Sequence, residues 1–144
     1  MDRSAATALL EAITAGWVSD EVSDVVWTGD FEGRRGVRMR QQVRDFTTVW
    51  FEVGQRTIAI EAYVLPSPPS RREEVFRQCL VRNAGVRRIH FALDRDGDVV
   101  LVGRIPLGEV TEEELEITLG EVYDLVERSF RPLVRAAFSR EKET

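Results

Sequence analysis

A chain of 144 residues, 43% hydrophobic and 31% charged, has the length and balance of one folded domain and lies far from disordered or fibrous compositions. Its 20 basic and 25 acidic residues leave a net charge of -5, which argues against general affinity for nucleic acid or an anionic membrane surface, since both need surplus positive charge. No apolar run approaches the roughly 18 residues of a membrane helix. The lone cysteine, Cys79, has no internal partner for a disulfide and fits a reducing compartment.

The chain opens with Ala5, Ala6, Leu9, Leu10, Ile13 and Trp17 at spacings of three and four, which predicts a helix from about Ser4 to Gly16. Glu11 interrupts this segment, so it does not read as a signal peptide, and a cytoplasmic location is expected. Residues 18–36 mix turn formers with the short apolar run Val25-Val26-Trp27 and read as a loop or an edge strand. From Val37, the alternation of Val37, Met39, Gln41 and Val43 with Arg38, Arg40, Gln42 and Arg44 predicts a half-buried strand with a basic outer face.

Phe46 to Val53 and Arg56 to Leu65 are rich in β-branched and aromatic residues, with Gly54-Gln55 between them as a two-residue turn. That turn pairs Phe51 with Ile58 and Val49 with Ile60 on a core face. The other face then carries Phe46, Trp50 and Tyr63 among polar residues, and three rings on a solvent face call for a covering surface. Pro66, Pro68 and Pro69 end the strand, and Ser70 with Glu73 has the S-x-x-E form of a capping box opening a helix through Val75, Phe76, Cys79 and Leu80. Asn83 to Gly85 closes it.

Ile89 to Leu93 and Val99 to Ile105 flank Asp96-Gly97, a strong hairpin signal that sets Ile89, Phe91 and Leu93 opposite Arg104, Val102 and Val100. Thr111 with Glu114 repeats the capping pattern before the stripe Leu115, Leu119, Val122, Val126 and Phe130, which Pro132 interrupts. The order is α-βββ-α-ββ-α, a single α+β domain over 1–144 with a five-stranded, mostly antiparallel sheet.

Catalytic chemistry has little to stand on. His90 is the only histidine, it sits inside a predicted strand, and no G-x-S-x-G accompanies it. Cys79 lies on an apolar helix stripe, where a small buried hydrophobe is the usual role, so both residues are expected to be dispensable for function. Asp94, Asp96 and Asp98 resemble a calcium loop, but Val99 and Arg104 stand where glycine and glutamate are needed, and the hairpin accounts for the aspartates. Glu112, Glu113, Glu114 and Glu116 suit the positive end of a helix. Phosphate-cradling glycine loops are absent, and neither metal nor cofactor is expected. Arg34, Arg35, Arg38, Arg40 and Arg44 form the one concentrated basic stretch, able to hold an anion or an acidic partner, or else to solvate an edge strand.

From Asp45 to about Val126 the chain resembles the YbjN family of small bacterial proteins, often labelled sensory transduction regulators. The resemblance rests on DFTTVWFEVG, EAYVLP, Arg82-Asn83, HFALDRDGD and GRIPL in that order. It implies a fold similar to type III secretion chaperones, often dimeric, and carries no catalytic or ligand residues with it. The expected function is a non-catalytic protein-binding module, a homodimer or a holder of a partner polypeptide through Phe46, Trp50 and Tyr63. A regulatory domain holding a small anion through Arg35, Arg38, Arg40 and Arg44 is the alternative, and an enzyme the third.

Overall fold

The computed structural model describes residues 1–139. In chain order the elements are α1 (Arg3–Ser19), β1 (Val25–Phe31), β2 (Arg34–Arg40), β3 (Phe46–Val53), β4 (Thr57–Leu65), α2 (Arg72–Asn83), β5 (His90–Leu93), β6 (Val99–Pro106), a single 3₁₀ turn over Leu107–Glu109, and α3 (Glu112–Ala137). The six strands form one antiparallel sheet in the order β1-β2-β3-β4-β6-β5. The α+β class is as expected from sequence, but six strands replace the expected five.

The added strand is β1, in the stretch expected to be loop or edge. It turns into β2 at Glu32-Gly33, where φ is 51° and 78°, the pair of positive values a tight hairpin needs. Glycine supplies the second at little cost, and Glu32 adopts the first without that freedom. The usual Asn-Gly or Asp-Gly signal is absent here, which is why the hairpin does not stand out in the sequence.

Both expected hairpins form with shifted registers. Val53 pairs with Ile58 and Phe51 with Ile60, so the β3–β4 turn centres on Gln55-Arg56 and not on Gly54-Gln55. Gly54 N–H donates to Thr57 O across it at 2.8 Å. A shift of two preserves the faces, so the division into core and outer side chains is unaffected. In the other hairpin Phe91 pairs with Leu101, not Val102. The loop there is three residues, Arg95-Asp96-Gly97, with Gly97 at φ 82° and its N–H donated to Asp94 O at 3.0 Å. That one-residue slip places Val99, Leu101 and Ile105, not Val100 and Val102, on the core face with Phe91.

The core lies between one face of the sheet and the helices. Leu10, Ile13 and Trp17 of α1, and Leu115, Val122, Val126 and Leu133 of α3, meet Val37, Met39, Val49, Phe51, Ile58 and Ile60. Each large side chain fully removed from water there contributes about 1.5–3 kcal/mol relative to an exposed one. Asp2 caps α1 through its side chain on Ala5 N–H at 2.8 Å, and Thr111 caps α3 on Glu114 N–H at 3.0 Å. Ser70 does not cap α2: its hydroxyl donates to Ala137 O at 3.0 Å, fastening the start of α2 to the end of α3, while the N-cap position falls to Arg71. Nor does Pro132 break α3, which continues to Ala137.

Two glutamates of α3 fix loops that carry no secondary structure of their own. Glu121 accepts from the backbone N–H groups of Arg87, Arg88 and Ile89 at 2.9, 3.1 and 2.6 Å. Glu127 accepts from Gln41 Nε2 at 2.7 Å and from the N–H of Gln42 and Val43 at 3.0 and 3.3 Å. Charged acceptors make the stronger class of hydrogen bond, so these two side chains order the β2–β3 and α2–β5 connections.

Candidate functional site

The helices occupy one face of the sheet and leave the other open. Along β3 the side chains at Thr47, Val49 and Phe51 are buried, while Phe46 and Trp50 alternate outward; β4 sends Tyr63 to the same side. Phe46 and Tyr63 are each 49% exposed. The long α3, the obvious candidate to cover these rings, packs on the opposite face.

The sequence pattern misses half of this surface because β1 is not legible. Trp27 and Phe31 also lie outward, 37% and 57% exposed. Gly29 of β1 pairs with Gly36 of β2, and Gly36 pairs with Trp50 of β3. The indoles lie down over these glycines. A Cβ at Gly36 would sit 2.7 Å from Trp50 Cζ3 and 2.8 Å from Trp27 Cζ3, and one at Gly29 would sit 2.6 Å from Trp27 Cζ2. Absence of side chains at these positions is therefore what lets the two rings lie flat, and it shields a backbone that glycine would leave exposed. Phe31 extends the platform, its ring centroid 6.3 Å from that of Trp50.

Arginines stand on the platform. Arg38 lies over Trp27 at 5.1 Å and Arg34 over Trp50 at 4.9 Å, both within cation–π range. Arg38 also donates from Nε to Thr48 Oγ1 at 3.2 Å. Beyond β3 the face becomes a shallow concavity of about 640 Å³ bordered by Trp50, Glu52, Glu61, His90 and Arg104. His90 is exposed there, with Nδ1 3.4 Å from Arg88 O.

The basic stretch does not act as one set. β2 ends at Arg40, and only Arg34, Arg38 and Arg40 share its outer face. Arg35 points the other way, its Nε donating to Thr14 Oγ1 of α1 at 3.0 Å and its Nη1 3.3 Å from Asp30 Oδ2. Arg44, expected on the outer face of a strand, lies in the β2–β3 connection and turns inward. It donates to Tyr63 O and Val64 O, both at 2.7 Å, and to Thr47 Oγ1 at 3.0 Å, with Phe130 beneath it at 4.9 Å. Burial lowers its pKa from the usual arginine value. The alternation that groups Arg44 with Arg38 fails because Gln41 to Asp45 leave the sheet.

Cys79 is buried on α2, and burial pushes its thiol up to about 11, although Arg82 nearby favours the thiolate. The carboxylates of Asp94, Asp96 and Asp98 offer oxygens within 4.8 Å of one another. Asp94 Oδ1 there accepts from Asp96 N–H and Asp98 N–H at 2.9 and 3.0 Å, and Asp98 Oδ1 from Ser67 N–H at 2.9 Å. These bonds hold the hairpin loop and tie it to the end of β4. A separate apolar groove of about 290 Å³ lies between α2 and β5, lined by Phe76, Leu80, Phe91 and Leu93, with Leu80 69% exposed. Among the described residues no helix is long and apolar enough to cross a membrane.

This architecture is similar to that of type III secretion chaperones. The chain superposes on the structure titled ExsC-ExsE complex with a TM-score of 0.62 at 22% identity, covering 88% of this chain and 95% of that one. On the Yersinia pestis type III secretion chaperone SycH, solved with a fragment of YscM2, the TM-score is 0.53 at 13% identity, covering 86% and 98%. Residues 14–135 match the YbjN family, described as "Putative bacterial sensory transduction regulator", and the chain belongs to that family. It is 35% identical over 86 residues to an uncharacterized protein of Mycobacterium tuberculosis, and 34% identical over 92 residues to one of Mycobacterium leprae. Those alignments cover 60% and 64% of this chain, which spans about half the length of the curated relatives it matches.

Proposed function

We propose that this domain is a protein-binding module, chaperone-like or regulatory, that holds a partner polypeptide on the open face of its sheet. The observation that carries the proposal is the platform of Trp27, Phe31 and Trp50, continued by Phe46 and Tyr63, on a face that no helix of the described chain covers. Rigid aromatic side chains already lying flat lose little entropy on binding and are the residues that anchor interface centres. Two solved neighbours of similar fold are complexes, ExsC with ExsE and SycH with a fragment of YscM2, which supports the reading. The unpaired Cys79 fits action in the reducing cytoplasm.

The test is capture of partners from the native cell with wild type, Trp50→Ala and a Trp27→Ala/Trp50→Ala pair, each first shown to be folded by circular dichroism. A partner retained by the wild type and lost from folded variants supports the reading. Equal capture by all three removes the open face from consideration.

Self-association is a second reading, favoured by the apolar groove between α2 and β5. Leu80 on α2 and Leu93 on β5 are exposed there, so a second copy laid across the groove would remove both from water. Leu80→Glu should then lower the solution mass to that of a monomer while leaving partner capture by the open face intact.

A further inference from the structure

We infer that the segment held on the open face is acidic, an extended polypeptide carrying carboxylates beside apolar side chains. The inference rests on the partner-binding reading above and specifies its chemistry.

Its basis is charge left without a counterpart. The outer side chains of β2 and β3 include Arg34, Arg38 and Arg40 against Glu52 alone, in a chain whose net charge is -5. Among the described residues Arg38 and Arg40 have no carboxylate partner, and Arg34 has only Glu61, a loose 3.7 Å away. Arg35 and Arg44, by contrast, are engaged on the inner side by Asp30, Thr14, Thr47 and backbone carbonyls. The cations facing outward are therefore the ones left available.

Stacking makes them better receptors than ordinary surface arginines. Arg38 Cζ lies over the Trp27 ring at 5.1 Å and Arg34 Cζ over the Trp50 ring at 4.9 Å, contacts that restrain both guanidinium groups on the platform. A guanidinium held in this way loses less freedom when a carboxylate takes two of its N–H groups. Arg38 and Arg40 are two residues apart on one strand face, roughly 7 Å, the repeat of side chains on one side of an extended chain. Alternate acidic residues of a strand-like segment match that spacing, and the intervening face of such a segment supplies apolar groups for the indoles.

Single-stranded nucleic acid also stacks on aromatic rings and pairs with arginine. Glu52 and Glu61 on the same face, and the overall negative charge, oppose a continuous phosphate chain but tolerate separated carboxylates.

The experiment is selection from a random twelve-residue peptide display library on four forms: wild type, Arg38→Ala/Arg40→Ala, Arg38→Glu/Arg40→Glu, and Trp27→Ala/Trp50→Ala, each checked by thermal melt. Wild type should enrich peptides with two or more Asp or Glu beside apolar residues. A synthetic copy of the leading peptide should bind at least tenfold more weakly to the Arg38→Ala/Arg40→Ala form, and similarly in 0.5 M salt compared with 0.05 M salt. The Arg38→Glu/Arg40→Glu form should shift the selection toward Lys and Arg. Neutral or basic wild-type peptides that depend on the two tryptophans would overturn the acidic assignment and leave the open-face reading standing. Peptides indifferent to the tryptophans, or no enrichment, would overturn both. A uridine decamer binding more tightly than the best peptide would reassign the face to nucleic acid.

Discussion

The side chain of Asn83 completes the backbone hydrogen bonding of Phe91: its Oδ1 accepts from Phe91 N–H at 2.7 Å and its Nδ2 donates to Phe91 O at 3.1 Å. A residue at the end of α2 thus behaves as one residue of a neighbouring strand along the edge of β5. That edge would otherwise present unpaired groups to any extended chain. Glu121 does the same for Ile89 N–H two residues earlier. Asn83→Ala should destabilise the domain by about 1–3 kcal/mol, since it leaves a donor and an acceptor without their partner. Asn83→Asp should be intermediate at neutral pH, because a carboxylate accepts from Phe91 N–H but cannot donate to Phe91 O. Urea midpoints at constant m-value measure both effects, and equal midpoints for wild type and Asn83→Ala would show that the edge needs no such closure.

Gly36 is where the platform meets the backbone. Gly36→Val places a branched side chain where Trp27 and Trp50 now lie, so both rings must lift from the sheet. The expected result is a red shift of tryptophan emission and loss of partner binding, with global stability falling by no more than about 1–3 kcal/mol because the overpacked site opens to solvent. Unchanged emission would mean that the indoles do not rest on this strand pair.

Glu114 links the start of α3 to the α2–β5 connection, with Arg87 Nη2 at 2.7 Å and Arg88 Nε at 2.9 Å from its Oε1. Burial by itself raises its pKa, but the hydrogen bonds from Arg87 and Arg88 outweigh that and hold it below the usual carboxylate value. A carboxyl with a lowered folded-state pKa contributes stability above its unfolded-state pKa and loses it as pH falls through the folded value. Stability should therefore decline on acidification below the ordinary glutamate range, and Glu114→Gln should flatten that limb while reducing stability at neutral pH. An identical acid limb in Glu114→Gln would remove this pair from the account.

The thiol of Cys79, raised to about 11, is protonated throughout the neutral range. Alkylation by iodoacetamide at pH 8 should be at least tenfold slower in the native protein than in 6 M guanidinium, where the thiol returns to an ordinary pKa of about 8.5. Comparable rates would mean that the α2–β5 groove opens readily.

The legible parts of the fold are those whose signals are local. Period-3.6 stripes locate α1 and α3, and alternation in Phe46–Val53 separates core from outer side chains so firmly that a register shift of two leaves the faces intact. What is not legible depends on partners distant in sequence. β1 is a strand because β2 lies beside it, and Gly29 near its centre lacks strand propensity until the Trp27 indole covers it. Arg44 has the composition of a surface cation and becomes an interior ligand of Tyr63 and Val64 carbonyls only when α3 brings Phe130 beneath it. Ser70 has the spacing of a cap, but Ala137 competes for its hydroxyl. Of the open-face site, Phe46, Trp50 and Tyr63 follow from alternation, whereas Trp27, Phe31 and the glycine seat require the three-dimensional arrangement.

Arg44 and Arg38, six residues apart and alike in sequence, should therefore behave as opposites. Arg44 sits among Tyr63 O, Val64 O and Thr47 Oγ1 on the inner side, so Arg44→Met leaves two carbonyls with one donor fewer and removes a charge-assisted network. Hydrogen bonds to charged groups are worth about 1.5–3 kcal/mol each, so a loss of about 2 kcal/mol or more is expected, partly offset by packing of the methionine on Phe130. Arg38 lies exposed over Trp27 with Thr48 Oγ1 as its hydrogen-bond partner, and Arg38→Met should change stability by about 0.5 kcal/mol or less. In binding the order reverses: Arg38→Met should weaken an acidic segment and reduce the salt dependence, whereas Arg44→Met, assayed well below its melting temperature, should leave both unchanged. Thermal melts and a salt titration on the two variants measure all four quantities. A salt dependence reduced by Arg44→Met and untouched by Arg38→Met would place the anion-binding charge on the wrong side of the sheet for the open-face proposal.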